Sequence, residues 1–300
     1  MAEIRFYRDF TFEYGVLETV SPLIRRIVAG NPGPFTGSGT GTYVVGRGRV
    51  ALIDPGPAIP NHVDAILNAL RGETIEHVLV THTHSDHWPA TGAIKRATGA
   101  RTYGFGPDAT KLGASGAEVP DYGFVPDQTL RDGDAVDGPG WHLTALHTPG
   151  HASDHLCFSL TEERVLFSGD HVMGWSTSVI IPPDGSLGEY MRSLEKLLDR
   201  DDAMYLPTHG PPIPDPKPHV RAFIEHRGER SEAILRRLAA GEATVPEFVR
   251  AVYVTLSPGL HWAAGQSVLA HLIELINLGK VECNGPPGLD RRYRPRKSPG

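Results

Sequence analysis

Thr81-His82-Thr83-His84-Ser85-Asp86-His87 crowds three histidines and an aspartate into seven residues. The run before it, Glu76-His77-Val78-Leu79-Val80, is short, apolar and β-branched, which predicts a buried strand. From Asp86 to Ala97 the pattern predicts the opening turns of a helix, so the heptad sits on a strand-to-helix loop. On extended backbone His82 and His84 project to one side, while Asp86 and His87 turn away and can serve a second centre. Imidazole nitrogen and carboxylate oxygen are the donors that suit Zn(II), and at higher coordination Fe(II) or Mn(II).

Three stretches further on each place a single donor at a strand end: Thr148-Pro149-Gly150-His151, Ser168-Gly169-Asp170 and Pro207-Thr208-His209-Gly210. Loops at the ends of a rigid sheet can converge, because the sheet fixes where they meet. His151 then completes a three-histidine site with His82 and His84. Asp86, His87 and His209 make a second site, and the Asp170 carboxylate can bridge the two. Two cations ~3.5–4 Å apart can share a hydroxide and stabilise both attacking and leaving oxygens. Asp54, in Asp54-Pro55-Gly56-Pro57, is open to two readings: a turn-former, or an acceptor behind a ligand histidine.

Around these stretches the chain alternates strands and helices. Phe10 to Tyr14 and Leu23 to Ala29 read as early strands, and Thr42–Val45 with Val50–Ile53 as a hairpin turning at Gly46-Arg47-Gly48. The Gly/Pro-rich loop from Gly30 to Gly41 lacks the Gly-Lys-Ser/Thr of a phosphate loop. Helices are predicted from Pro60 to Arg71 and from Leu187 to Arg200, with strands at Ala100–Tyr103, Trp141–His147, Leu156–Leu160, Arg164–Phe167 and Ala203–Leu206. Phe105 to Gln128 has no regular period, which fits either a lid over substrate or a passive insertion. Lys217 to Ala240 reads as a solvated connecting helix. Two sheets packed together with helices outside is the arrangement this order implies.

Composition narrows the class. A net charge of -6 argues against a chain built around nucleic acid. Cys157 and Cys283 are far apart and form no CxxC pair, which suits a reducing cytosol. No export signal opens the sequence and no run approaches the ~20 apolar residues of a membrane span, so a soluble cytoplasmic protein with no membrane partner is expected.

With His82-Thr83-His84-Ser85-Asp86-His87, His151, Asp170, His209 and Leu52-Ile53-Asp54-Pro55-Gly56 in this order, the chain resembles the metallo-β-lactamase-fold hydrolase superfamily. The resemblance implies an αββα sandwich over roughly Phe10 to Pro216. The Asp86-His87 pair is the pattern of its two-metal hydrolases, and Cys157 occupies no ligand position. More finely the chain is similar to the β-lactamase-like protein 2 group, which includes endoribonucleases acting on single-stranded RNA; His151-Ala152-Ser153-Asp154-His155 and His209-Gly210-Pro211-Pro212 carry that likeness. Gly41 departs from it, since close relatives often have asparagine there. Glyoxalase II and fungal-type thioesterases share His151 and His155, so the ligand set alone does not name a substrate.

Beyond Thr244 a helix (Pro246–Tyr253), a loop at Ser257-Pro258-Gly259, a second helix (Ala263–Leu278) and two strands around Gly285-Pro286-Pro287-Gly288 resemble a winged helix. Its long helix is expected to bury Leu269, Leu272, Leu275 and Ile276 and to expose Ser267, His271 and Glu274. Arg291, Arg292, Arg294, Arg296 and Lys297 make the tail basic. Nucleic-acid contact, plain packing and homodimerisation are all open for this part. The expected organisation is a catalytic domain at 1–216, a helical connector at 217–242 and a winged-helix-like domain at 243–300. The expected function is a binuclear hydrolase, Zn(II) favoured, using a metal-bridging hydroxide, with Asp86 and His155 as candidate catalytic side chains. Single-stranded RNA is the leading substrate and a small ester or thioester the alternative. A non-catalytic metal-sensing regulator is the rival class, disfavoured by the complete ligand set.

Overall fold

The computed structural model describes residues 4–106, 123–253 and 260–296. Most of the Phe105–Gln128 segment, the Ser257-Pro258-Gly259 loop and Lys297 lie outside the described residues. The first sheet holds β1 (Glu18–Thr19), β2 (Ile24–Val28), β3 (Gly41–Val45), β4 (Arg49–Ile53), β5 (Thr74–Leu79), β6 (Arg101–Gly104) and β7 (Gln128–Thr129), in that spatial order. β1 to β4 pair antiparallel, and from β4 onward the pairing is parallel. The first two parallel steps need crossovers, supplied by α1 (Pro60–Ala69) and α2 (Thr91–Thr98), and most of the chain joining β6 to β7 lies outside the described residues. The second sheet contains β8 (Ala135–Gly138), β9 (Trp141–His147), β10 (Leu156–Leu160), β11 (Val165–Gly169) and β12 (Met204–Pro207), ordered β12-β11-β10-β9-β8. Its one parallel pair, β11 with β12, is bridged by α3 (Leu187–Leu198).

Strand alternation sends one set of side chains between the sheets and the other set outward. Tyr43, Val45, Ile53, Phe158, Phe167 and Leu206 belong to the core between the sheets. Val44, Val50 and Leu52 face the opposite way, against Val63 and Ile66 of α1 and Ile94 of α2. Leu146, Cys157 and Tyr205 pack on Tyr190, Leu194 and Leu197 of α3. The expected αββα sandwich is therefore the architecture of the main body.

Local departures have identifiable causes. Phe10 to Tyr14 forms no strand; its rings pack on one another instead, Phe10 tilted against Phe12 at 4.8 Å and Phe12 edge-on to Tyr14 at 5.0 Å between centroids. The helix expected from Asp86 starts at Thr91, because Trp88 precedes Pro89 and is biased away from helical backbone. The segment expected to be a solvated connector is α4 (Pro216–Ala239). It buries Val220 and Phe223 with the α3 layer, and Ile234 and Leu238 in the C-terminal core.

The C-terminal unit comprises β13 (Ala243–Thr244), α5 (Val245–Val252), α6 (His261–Asn277), β14 (Val281–Cys283) and β15 (Arg292–Pro295), with β15 between β13 and β14. Thr244 and Glu247 form a reciprocal capping box that starts α5. This is the winged-helix arrangement expected, with one reversal. His271 is buried, not exposed, and its Nδ1 lies 2.8 Å from Ser231 Oγ of α4. Glu274 points at α3, where a Cβ on Gly188 would come within 2.5 Å of its carboxylate. α6 is apolar almost all round because it is sandwiched between its own core and the α3–α4 layer.

Candidate metal centre

Every candidate donor follows the carboxyl end of a strand. Asp54 follows β4, the heptad follows β5, His151 follows β9, Asp170 follows β11 and His209 follows β12. Backbone bonds hold these ends together: Leu156 N–H donates to Thr81 O at 2.7 Å, Thr208 N–H to Gly169 O at 3.2 Å, and Gly41 N–H to Thr208 O at 2.8 Å. β11 slips register against β12 between Phe167 and Gly169, which turns Asp170 inward. Gly169 is at φ +52°, and a Cβ there would sit 2.4 Å from His155 Nε2, so only glycine fits. Gly41, the departure from relatives, leaves room beside the His209 loop, where a Cβ would stand 3.2 Å from Thr208 O.

The structure brings seven candidates into one cluster: His82, His84, Asp86, His87, His151, Asp170 and His209. The ligand atoms of His82, His84 and His151 all lie within 4.8 Å of one another, as do those of Asp86, His87 and His209, and those of His82, His87 and Asp170. His84 Nδ1 is 2.9 Å from His82 Nε2 and 3.1 Å from His151 Nε2. One Asp170 oxygen lies 3.6 Å from His87 Nε2 and 3.7 Å from His151 Nε2, and the other lies 3.4 Å from His209 Nε2. Asp86 is 3.0 Å from His209 Nε2. That places Asp170 between the two groups.

The rings are aimed from behind. His87 Nδ1 donates to Asp54 at 2.8 Å, His151 Nδ1 to the Val179 carbonyl at 2.6 Å, and His209 Nδ1 to the Gly39 carbonyl at 3.2 Å. Each such bond fixes the tautomer and turns the Nε2 lone pair to the centre. Asp54 is fully buried and also accepts from Thr81 N–H, Thr81 Oγ and Thr208 Oγ. Its backbone turns at φ +50°, so Asp54 forms the turn and also backs a ring. The threonines were missed in the sequence, although each directly precedes a histidine, in Thr81-His82 and Thr208-His209.

Nε2 of His87, Nε2 of His209 and Oδ1 of Asp170 are buried without a hydrogen-bond partner among the described residues. Buried polar atoms are rarely left so, and atoms that face one point without bonding each other are what a cation between them would satisfy. The donor set fits divalent metal. The electrostatics agree: burial pushes His82 far below the ordinary histidine value and His84 down to about 3. Burial also opposes charge on His87 and His209, yet the surrounding carboxylates raise both, Asp86, Asp54 and Asp170 at His87 and Asp170 with Asp86 at His209. Asp86 and Asp170 lie below the usual carboxylate range, the neighbouring histidines outweighing burial. The centre favours positive charge and neutral imidazole together.

His155 stands apart. It is fully buried, its Nδ1 lies 2.9 Å from Thr148 Oγ, and its Nε2 accepts the Asp170 N–H at 3.2 Å. Both nitrogens are occupied and the ring does not line the cavity, so the candidate catalytic His155 stands behind Asp170 as a backing residue. A cavity of about 320 Å³ opens over the centre, lined by His84, Asp86, His151 and Asp170 on its floor. Its walls are Phe35, Met173, Val179 and Ile181, with Thr36 and Ser85 the remaining lining residues.

The metallo-beta-lactamase superfamily profile matches residues 35–209, and that of the beta-lactamase associated winged helix domain matches residues 244–286. A beta-lactamase-like protein 2 homolog of Caenorhabditis elegans is 34% identical over 272 residues, spanning 89% of this chain and 88% of that protein. An atrochrysone carboxyl ACP thioesterase of Aspergillus terreus is 33% identical over 254 residues, spanning 79% and 73%. A solved metallo-beta-lactamase family protein of Thermus thermophilus superposes with a TM-score of 0.74 at 26% identity, covering 93% of this chain and all of that one.

Proposed function

The chain belongs to the metallo-beta-lactamase superfamily and is a hydrolase, and from that premise we propose that it cleaves a thioester or ester with an apolar acyl group. The observation that carries this is the cavity wall. Phe35, Met173, Val179 and Ile181 offer apolar surface beside the donor cluster, and no lysine or arginine lines the cavity among the described residues. An RNA strand needs cations along its backbone, whereas an acyl chain gains from apolar contact. The Aspergillus terreus thioesterase, matched over most of this chain, points the same way.

In this reading His82, His84 and His151 would hold one divalent cation, and Asp86, His87 and His209 the other, with Asp170 available as a donor to both and Zn(II) the favoured metal. The cations would supply an acidified water and polarise the acyl carbonyl. The chain's own residues do the rest. Asp54, Val179 and Gly39 hold the histidines as neutral donors, and His155 fixes the Asp170 backbone. Asp86 lines the cavity floor and is the carboxylate placed to accept the proton that the attacking water gives up. Water oxygen bonds to the acyl carbon, the C–S bond breaks, and a thiolate leaves. With a thiol pKa of about 8.5 it leaves readily without a proton, unlike a ribose alkoxide. The units at 1–216, 217–242 and 243–300 are catalytic, connecting and winged-helix parts in this account, acting in the cytoplasm.

The RNA reading would draw on the basic tail. There, Arg294 is paired with Glu282 at 2.7 Å and with Glu242 at 3.8 Å. The α6 face bearing Ser267, His271 and Glu274 is turned to the α3–α4 layer. A side-by-side assay of zinc-loaded protein on a medium-chain acyl-thioester and a short single-stranded RNA tests the choice. Thioester turnover with intact RNA is expected; cleaved RNA with intact thioester would overturn it.

A further inference from the structure

We propose that Arg227 of α4 is a positioning residue for the hydrolase centre, pinning the Ser178–Val179 segment that holds His151 and lies against the Asp170–His171 backbone, and tying that segment to the C-terminal unit. The proposal rests on reading His82, His84 and His151 as one metal set. Arg227 is 4% exposed. One of its terminal nitrogens donates to the Ser178 carbonyl, the other reaches Ser267 Oγ on α6 at 3.5 Å, and the guanidinium carbon stands 5.3 Å from the Tyr190 ring centroid. Burying a guanidinium is costly unless its hydrogen bonds and ring face compensate it. Such a group in a helix that also carries the C-terminal core calls for a reason beyond packing.

The partner segment supplies that reason. Ser178 Oγ lies 2.6 Å from the Asp170 carbonyl and 2.8 Å from the His171 carbonyl, and donates to one of them. The next residue's carbonyl, Val179 O, takes the His151 Nδ1 proton, and the Val179 side chain lines the cavity. Adjacent residues are thus held by Arg227 at the Ser178 carbonyl, and by His151 and the Asp170–His171 backbone at the Val179 carbonyl and the Ser178 hydroxyl. With the guanidinium gone, nothing in this arrangement fixes the Ser178 carbonyl. The Val179 carbonyl loses its aim, and His151 loses the bond that selects its tautomer. The Val179 carbonyl is hydrogen-bonded directly to His151, and losing a partner of that kind weakens metal binding about 10–100-fold.

The test compares wild type with Arg227→Met, Arg227→Lys and Ser267→Ala, using amide hydrogen exchange on metal-stripped protein and calorimetric zinc titration. In Arg227→Met, exchange across residues 171–185 rises about 10-fold while α1 is unchanged. The zinc step that needs His151 weakens about 10–100-fold, and the other, which has only Asp170 in common with it, weakens by a smaller factor. General destabilisation would move both steps together. Arg227→Lys, which keeps the charge but not the fork, falls between, and Ser267→Ala raises exchange across 171–185 about twofold. Wild-type exchange and wild-type zinc steps in Arg227→Met overturn the proposal. If Arg227→Met does not fold, wild-type behaviour of Arg227→Lys overturns it instead. Unchanged exchange in Ser267→Ala removes the tie to the C-terminal unit. Should wild type itself bind no zinc, the metal reading fails, and exchange across 171–185 alone decides the role of Arg227.

Discussion

Asp54 shows how much one buried carboxylate can organise. It accepts from His87, from Thr81 twice and from Thr208, joining the ends of three strands. Asp54→Ala would strand those donors without water. The expected result is a loss of about 3–5 kcal/mol in urea unfolding of the metal-free protein. Zinc affinity should fall about 10–100-fold in calorimetry, because His87 loses its backing. Asp154 behaves differently. Burial raises its carboxyl to about 7, and the nearby Asp184 adds to this, while Thr83 pulls it down. In the unfolded chain the group titrates near ~3.9, so the folded state holds the extra proton between those values. Its contribution to stability is complete below about pH 4 and is lost as pH rises through about 7. Asp154→Asn keeps an acceptor for the Thr83 N–H and cannot ionise. From pH 4.5 to 8 its stability should gain on wild type by ~2–4 kcal/mol, read from metal-free unfolding curves. Equal pH slopes for the two proteins would contradict this.

At the scale of elements, the strand ends matter more than the strands. β11 ends in a register slip and a left-handed glycine, and that junction aims Asp170. Gly169→Ala pays both for backbone strain and for a clash with the ring of His155, so loss of at least ~2 kcal/mol and of one zinc equivalent is expected by unfolding and by metal analysis. Much of this site was legible beforehand. His82, His84, Asp86, His87, His151, Asp170 and His209 stand in local patterns, and strand periodicity located their loops. Residues that act through shape or carbonyls were not. Val179 contributes a backbone oxygen and Phe35 a wall, and neither role leaves a pattern in side-chain chemistry. Helical period alone starts α2 at Asp86, and the Trp88-Pro89 step, which that period does not register, delays it to Thr91. The periodicity of α6 implies one buried face, whereas a second layer covers the other.

Across the whole molecule, α4 and α6 make the C-terminal unit part of the body that carries the centre. Ala270 of α6 belongs to the same apolar cluster as Tyr190 and Phe223. Removing residues 243–300 would expose that cluster and is expected to give aggregation-prone protein in light scattering. Removing only 291–300 would take away the last strand and the basic tail together. Salt is the cleaner probe of charge. For a small acyl substrate, turnover should change less than about twofold between 50 and 200 mM salt, whereas a strand held through several phosphates would lose affinity by orders of magnitude. No helix among the described residues is long and apolar enough to cross a membrane, and the His/Asp cluster lies just past the carboxyl ends of the strands.

The central claim is that seven side chains hold two cations and that hydrolysis of an acyl-thioester depends on them. Metal-stripped protein titrated with Zn(II), with bound metal and thioester turnover followed on the same samples, tests it most directly. Turnover should be absent at zero metal and rise to a plateau at two equivalents, and His151→Ala should plateau at one. Full turnover by the stripped protein, or a wild-type plateau with no metal bound, would contradict it.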